Sequence, residues 1–226
     1  MNNSKKINYT VCDQPDKPLI YVLRGESGDM LIDTGGEDTK EHLDAWLTKC
    51  GFNIKWIFLT HGHYDHAFNA AYFQEKYNAE IIIHKLDKDL LLGKVFEKVI
   101  AFEDKNKDFA NEANDLLKEF KTPKCEVSIC LEDGDVDYLK KLGFDAQVVM
   151  LPGHTSGSMG IKQDRVLYCG DACSAVRGDY KTAIIGSDIE NVIRSEKKIF
   201  ELNPLVIAPG HGKLIINELA FPKSEE

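Results

Sequence analysis

A six-residue run, His-Gly-His-Tyr-Asp-His, extends from His61 to His66 and is dense in metal-binding side chains. It directly follows the apolar stretch Ile54–Leu59, which is typical of a buried strand. In an extended segment, side chains two positions apart point the same way, so His61 and His63 can face one ion together. Gly62 between them lets the backbone bend. The run therefore predicts a metal site at the end of a strand.

The other candidate ligands also lie at strand ends or at the turn into a helix. Asp65 and His66 stand where the next helix is predicted to begin, and they can reach a second ion. Three more have glycine neighbours: His154 in Pro152–Ser158, Asp171 after Gly170, and His211 between Gly210 and Gly212. Rigid strands aim such side chains, and glycines let their loops converge.

Five histidines and two aspartates provide enough ligands for two divalent metal ions. Neutral imidazole and ionised carboxylate both bind Zn²⁺, at about 2.0–2.2 Å. We expect one ion on His61, His63 and His154, the other on Asp65, His66 and His211, and Asp171 as a bridge. Zinc is the first choice, but iron and manganese accept the same ligands. Paired ions about 3.5–4 Å apart can share a water and lower its pKa towards ~7.

Strand-like and helix-like segments alternate along the chain, which is typical of a layered α/β body. Predicted strands are Leu19–Leu23, Met30–Asp33, Ile54–Leu59, Glu80–Ile83, Glu126–Cys130, Gln147–Leu151, Ser158–Lys162, Arg165–Tyr168 and Leu205–Ala208. Predicted helices are Thr39–Cys50, Ala67–Tyr77 and Ile189–Leu202. We interpret residues 1–226 as a single domain with a mainly helical insert at about residues 86–120, beside the site.

Five motifs occur in the order that they have in the metallo-β-lactamase superfamily, which the chain resembles over nearly its whole length. They are the run His61–His66, Leu31–Gly35, Gly153–Ser158, Gly170-Asp171 and Gly210–Gly212. The resemblance implies an α/β fold, a four-layer αββα sandwich with the metals at one edge between the sheets. It also implies the ligand assignments given above and a metal site similar to that of glyoxalase II.

The resemblance further implies hydrolysis by a metal-bound hydroxide of an ester, thioester, lactone or phosphodiester bond in a small molecule. We expect Asp65 to be the catalytic residue, because it is placed to orient the attacking water. Asp33 is a candidate hydrogen-bonding partner that holds a ligand loop. Arg177, Tyr180 and Lys181 are candidate pocket residues for an anionic group of the substrate.

Features that the sequence lacks narrow these expectations. Only fifteen residues follow His211, so we expect no helical glutathione-binding domain like that of glyoxalase II, which disfavours a glutathione thioester. The polar segment Met1–Asn8 lacks the apolar region of a secretory signal, so the cytoplasm is the expected compartment and an exported β-lactamase is disfavoured. No stretch approaches the roughly 18 apolar residues that span a bilayer, so no membrane partner is expected. The oligomeric state stays open.

Two other reactions stay open. A mononuclear iron dioxygenase of the persulfide type also keeps the run His61–His66, and one iron per chain with oxygen uptake would identify it. An RNA-processing nuclease needs a basic face, and the net charge of −9 argues against nucleic acid as a partner.

Overall fold

The computed structural model describes residues 10–14, 17–174 and 181–216. In chain order its first elements are β1 (Val11–Cys12), β2 (Ile20–Leu23), β3 (Asp29–Ile32), α1 (Lys40–Cys50), β4 (Ile54–Phe58), α2 (Tyr64–Ala67), α3 (Ala70–Tyr77), β5 (Glu80–His84), α4 (Lys88–Leu91), β6 (Ile100–Ala101) and α5 (Lys107–Glu119). The chain continues with β7 (Val127–Leu131), α6 (Tyr138–Lys141), β8 (Gln147–Met150), β9 (Met159–Gln163), β10 (Val166–Gly170), β11 (Cys173–Ser174), β12 (Lys181–Thr182), β13 (Ile185–Gly186), α7 (Ile189–Leu202), β14 (Val206–Pro209) and β15 (Ile215–Ile216).

Two main sheets form the body of the protein. The first has the strand order β1-β2-β3-β4-β5-β7, in which β3, β4, β5 and β7 are parallel. The second has the order β15-β14-β10-β9-β8. Its strands β8, β10 and β14 run in the same direction, because β9 is antiparallel to both β8 and β10 and β14 is parallel to β10. In each sheet, several strands therefore have their carboxyl ends at the same edge.

The alternation of side chains along each strand explains a four-layer arrangement, because successive residues point to opposite faces. Tyr21 of the first sheet and Tyr168 of the second meet in the core between the sheets, with ring centres 5.1 Å apart. Val22 lies on the opposite face, in a cluster with Leu43 of α1. Ile199 of α7 packs on the outer face of the second sheet. The predicted αββα sandwich is confirmed, and no described helix is long and apolar enough to cross a bilayer.

The insert is helical mainly in its second half, and its first half differs from the helix that the apolar stripe suggests. The apolar stripe Leu90, Leu91, Val95 and Val99 suggests one helix, but α4 ends at Leu91 and Gly93 follows with a left-handed φ of 64°. Val95 is half exposed, whereas Leu91 and Val99 are buried. The chain then forms β6, which pairs antiparallel with β13. The spacing of apolar residues along the insert cannot reveal a pairing with a strand so far away in the sequence. The second half of the insert forms the helix α5.

Candidate metal centre

Five predicted site residues lie at one edge of the sandwich, just beyond strand ends. Asp33 follows β3 and His61 follows β4, and the parallel pairing of these strands brings their carboxyl ends together. His154, Asp171 and His211 follow β8, β10 and β14, which run the same way in the second sheet. The topology therefore gathers residues from distant parts of the sequence at a single edge.

The first ligand group consists of His61, His63 and His154, all of which are buried. Nδ1 of His63 lies 3.0 Å from Nε2 of His154. The ring centre of His61 is 4.7 Å from that of His63 and 4.9 Å from that of His154. Two nitrogens that each lie 2.0–2.1 Å from a tetrahedral ion are roughly 3.3 Å apart, so this spacing suits a single ion.

The second ligand group consists of Asp65, His66 and His211. Nε2 of His66 lies 3.2 Å from Nε2 of His211. The latter atom is also 3.3 Å from Oδ2 of Asp65. His66 is fully buried, but the side chains of Asp65 and His211 are each about one-third exposed. This group has the spacing for a second ion and opens towards solvent.

Asp171 lies between the two groups. Its Oδ2 is 3.6 Å from Nε2 of His154 in the first group and 3.5 Å from Nε2 of His211 in the second. Its Oδ1 is 3.3 Å from Nε2 of His66. A Cβ atom at Gly210 would stand 2.3 Å from that oxygen, so the cradle depends on a glycine there. This is the position that a bridging carboxylate requires.

The chemistry of the first group fits a bound cation. Nδ1 of His61 lies 3.1 Å from Oγ1 of Thr60, whereas its Nε2 is buried without a hydrogen-bond partner among the described residues. Leaving a buried polar nitrogen unpaired costs about 1–3 kcal/mol. A metal ion on that nitrogen would remove the cost, so the residues present fit the group that the fold implies.

Electrostatics differ between the two groups. Burial, followed by the neighbouring histidines, holds the pKa of His61 well below its usual range, and burial lowers the pKa of His63 to about 3. Both imidazoles are therefore neutral, which is the form that binds metal. Burial also opposes charge on His66, but Asp171 and a second carboxylate outweigh it and raise the pKa of His66. In turn, His211 and His66 outweigh burial and hold the pKa of Asp171 well below its usual range.

Asp33 lies where the sequence predicted a supporting residue. Its Oδ1 accepts a hydrogen bond from the backbone nitrogen of Thr60 at 2.8 Å, and its Oδ2 accepts one from Oγ1 of Thr60 at 2.8 Å. Oδ2 is also 2.9 Å from Nδ1 of His66, so Nε2 of that ring faces the centre. Asp33 has a left-handed φ of 61°, a conformation uncommon outside glycine. It thus orients His66 directly and His61 through Thr60.

Asp87 is a supporting residue that the sequence analysis missed. Its side chain is fully buried and accepts hydrogen bonds from the backbone nitrogens of Gly62 at 2.8 Å and Gly157 at 2.7 Å, and from Oγ1 of Thr155 at 2.7 Å. Burial raises its pKa to about 6. Asp87 therefore ties the loop of His61 and His63 to the loop of His154. No motif surrounds it, and only its position just beyond β5, at the carboxyl edge of the sheet, could have signalled it.

The remaining candidate residues lie in a segment that the structure describes only in part. Arg177 and Tyr180 lie outside the described residues, and only the backbone of Lys181, at the start of β12, is described. Their role as pocket residues stays a prediction. Cys169 and Cys173 flank Asp171, but their sulfur atoms lie 3.2 Å from each other in the cluster beneath α7.

A cleft opens beside the first ligand group. One wall comes from the metal loop and the other from the insert, and its volume is about 360 Å³ with the open mouth included. Tyr64 on the metal-loop side stacks on Phe120 after α5, with ring centres 5.0 Å apart. The cleft therefore connects the candidate metal centre with the segment that the sequence assigned to an insert.

Comparisons with known proteins agree with this geometry. The family model for the metallo-beta-lactamase superfamily matches residues 14–211. Hydroxyacylglutathione hydrolase GloC of Haemophilus influenzae is 27% identical over 202 residues, which cover 83% of this chain and 81% of the relative. The probable metallo-hydrolase YflN of Bacillus subtilis is 26% identical over 178 residues, which cover 72% of this chain and 66% of the relative.

A solved structure is similar over almost its whole length. The protein TTHA1623, determined in a di-iron-bound form, is 26% identical and superposes with a TM-score of 0.66. The match covers 93% of this chain and 94% of that chain. A relative of nearly the same extent thus holds two iron ions.

Proposed function

The chain belongs to the metallo-β-lactamase superfamily and is a metal-dependent hydrolase, and on that premise we propose that it cleaves a thioester or ester bond in a small molecule. We propose that two divalent metal ions, zinc in the first instance, bind the seven ligands His61, His63, Asp65, His66, His154, Asp171 and His211. The observation that carries the proposal is the position of Asp171, whose carboxylate reaches both ligand groups.

Asp65, Asp33 and Asp87 each have a role in the proposed reaction. Two ions held at this centre would supply a bound hydroxide near neutral pH. Asp65 lies on the exposed side, where its carboxylate can accept a hydrogen bond from the attacking water and hold it towards the substrate. Asp33 and Asp87 keep the ligand loops in place, so that little reorganisation accompanies substrate binding.

The choice of a thioester or ester comes from a relative. GloC is named a hydroxyacylglutathione hydrolase, and this chain covers 81% of its length. A relative with that name therefore need not be much longer than this chain, so the expectation that disfavoured a glutathione thioester carries less weight. Lactones and phosphodiesters share the same attack by a bound hydroxide, and they belong in the same assay.

The test is a substrate panel on protein of measured metal content. Zinc-loaded and iron-loaded protein would be assayed against hydroxyacyl thioesters of glutathione, simple thioesters, aryl esters, lactones and phosphodiesters. We expect hydrolysis of a thioester or an ester, abolished by a chelator and restored by metal. Hydrolysis confined to phosphodiesters, or none on the whole panel, would contradict the proposal.

The same protein distinguishes the dioxygenase alternative. An oxygen electrode would follow iron-loaded protein with glutathione persulfide. Oxygen uptake at one iron per chain, without hydrolysis of the panel, would replace the hydrolase proposal with persulfide oxidation.

A further inference from the structure

The cleft beside the first ligand group has two walls of different origin. Gly62, His63 and Tyr64 belong to the metal loop, and His63 is itself a candidate ligand. The opposite wall is formed by the insert and the residues after it: Leu90, Gly93, Val95, Phe96, Glu97, Leu117, Phe120, Lys121 and Thr122. A group held in this cleft would therefore lie next to the metal centre.

The insert wall is mainly apolar. Val95 is 50% exposed and Phe96 is 41% exposed, although both are large apolar side chains. Removing apolar surface from water stabilises a complex in proportion to the area buried. An apolar group that lies against Val95 and Phe96 would cover surface that the free protein leaves in water.

The charged residues of the cleft already have partners. Glu97 accepts hydrogen bonds from the backbone nitrogen and the hydroxyl of Ser156, both at 2.8 Å. Nζ of Lys121 donates to the backbone oxygen of Leu117 at 3.3 Å. Glu97 and Lys121 carry opposite charges, so the cleft has no net charge that requires an ionic ligand, and its apolar part suits an uncharged group.

We infer that this cleft binds an apolar acyl arm of the substrate, so that the insert selects esters or thioesters of short aliphatic or aromatic acids. The inference rests on the proposed function and deepens it by naming the acyl side. The cleft is open to solvent, so a short arm would lie along the exposed apolar side chains Val95 and Phe96 rather than be enclosed. The arm lies against Val95 and Phe96 while the scissile carbonyl stays at the metal centre.

A chain-length series tests the inference. Metal-loaded protein would be assayed with nitrophenyl acetate, butyrate, hexanoate and, as a charged competitor of equal length, the monoester of adipate. We expect kcat/KM to rise about threefold to fourfold for each methylene that enters the cleft. We expect the charged ester to be poorer than hexanoate by at least about tenfold.

Variants of the insert locate the effect. Phe96→Ala should reduce kcat/KM for hexanoate about tenfold, mainly through KM, and change it less than twofold for acetate. The matched control is Phe109→Ala, because Phe109 lies on α5 of the same insert, is 53% exposed and does not line the cleft. A flat series, a preference for the charged ester, or an equal loss in both variants would overturn the inference.

Binding of alkyl hydroxamates separates this inference from the proposed function. Hydroxamates anchor on metal ions, so calorimetry with acetohydroxamate, butyrohydroxamate and hexanohydroxamate measures the cleft without turnover. Affinity that rises with chain length in the wild type and is flat in Phe96→Ala supports the cleft, even if no ester is hydrolysed. Length-independent affinity contradicts it, even if esters are hydrolysed.

Discussion

The two halves of the candidate metal centre differ in composition, exposure and support. The first half has three buried histidines whose loops are tied together by Asp87, a residue of the insert. In the second half, the side chains of Asp65 and His211 are each about one-third exposed, and Asp33 at the end of β3 orients His66. The comparison indicates that the two halves have different roles, in which the first half holds an ion in a buried site and the second half faces water.

The largest effect is expected where the two halves meet. Asp171→Ala removes the carboxylate that reaches both ligand groups, so we expect kcat to fall at least about 10³-fold, because a metal-bound nucleophile contributes several kcal/mol. Kinetics and metal analysis of the same preparation would measure this. Thermal unfolding of the metal-free variant and wild type is the control, and near-wild-type turnover would show that Asp171 does not join the halves.

The next effect concerns the open half. Asp65→Asn keeps an oxygen for the metal but loses the negative charge that orients the water, so we expect kcat to fall about 10²-fold to 10³-fold. Metal content and thermal stability should stay close to those of the wild type. Full activity in this variant would remove Asp65 from its catalytic role.

Asp87 and Asp33 allow the two halves to be weakened to different extents, since Asp33 contacts His66 directly and His61 only through Thr60. In the background His211→Ala, which retains the first half, Asp87→Asn should lower metal affinity about tenfold to 100-fold. In the background His154→Ala, which retains the second half, Asp33→Asn should have that effect and Asp87→Asn should have little. The physical reason is that each asparagine replaces one accepting carboxylate oxygen with an NH2 group, which cannot accept the hydrogen bonds that the oxygen received.

Competition with a chromophoric chelator would measure these affinities. The matched control is Asp89→Asn. Asp89 is an exposed carboxylate on α4, the short helix that directly follows Asp87, and among the described contacts its side chain pairs only with Lys94. Equal losses from Asp87→Asn in both backgrounds would show that the insert supports the whole centre and not its first half.

The smallest effect is expected from the second contact of the insert with the His154 loop. Glu97 accepts two hydrogen bonds from Ser156, but it is only partly buried, and glutamine can still accept both. We predict that Glu97→Gln changes metal affinity in the first half less than about threefold, as for most substitutions near the surface. A loss as large as that of Asp87→Asn would mean that burial does not distinguish the two contacts.

The sequence predicts the candidate ligands because their chemistry is concentrated in short motifs at strand ends, and their role as ligands stays a prediction. The spacing of His61 and His63 alone predicts that both face one ion. Glycine neighbours after apolar strands mark His154, Asp171 and His211 as further candidates. The structure places all seven predicted ligands in the two groups and at the position between them. The sandwich followed from the family resemblance, which the comparisons confirm.

The support of the centre was less predictable. Asp87 stands among charged residues in a segment whose apolar stripe suggested a helix, and nothing local marks it as buried. Its burial depends on Gly62 and Gly157, far away in the sequence; a Cβ at Gly157 would lie 2.5 Å from its Oδ1. The pairing of β6 with β13 likewise depends on tertiary contacts. Such features become visible only when both loops and the insert are placed in space.

The number of metal ions per chain shows whether the centre consists of two halves. Elemental analysis of purified, metal-replete protein would be combined with native mass spectrometry of the wild type, His154→Ala and His211→Ala. We predict two ions per chain in the wild type and one in each variant. A single ion per chain in the replete wild type, unchanged by His211→Ala, would contradict a centre made of two halves.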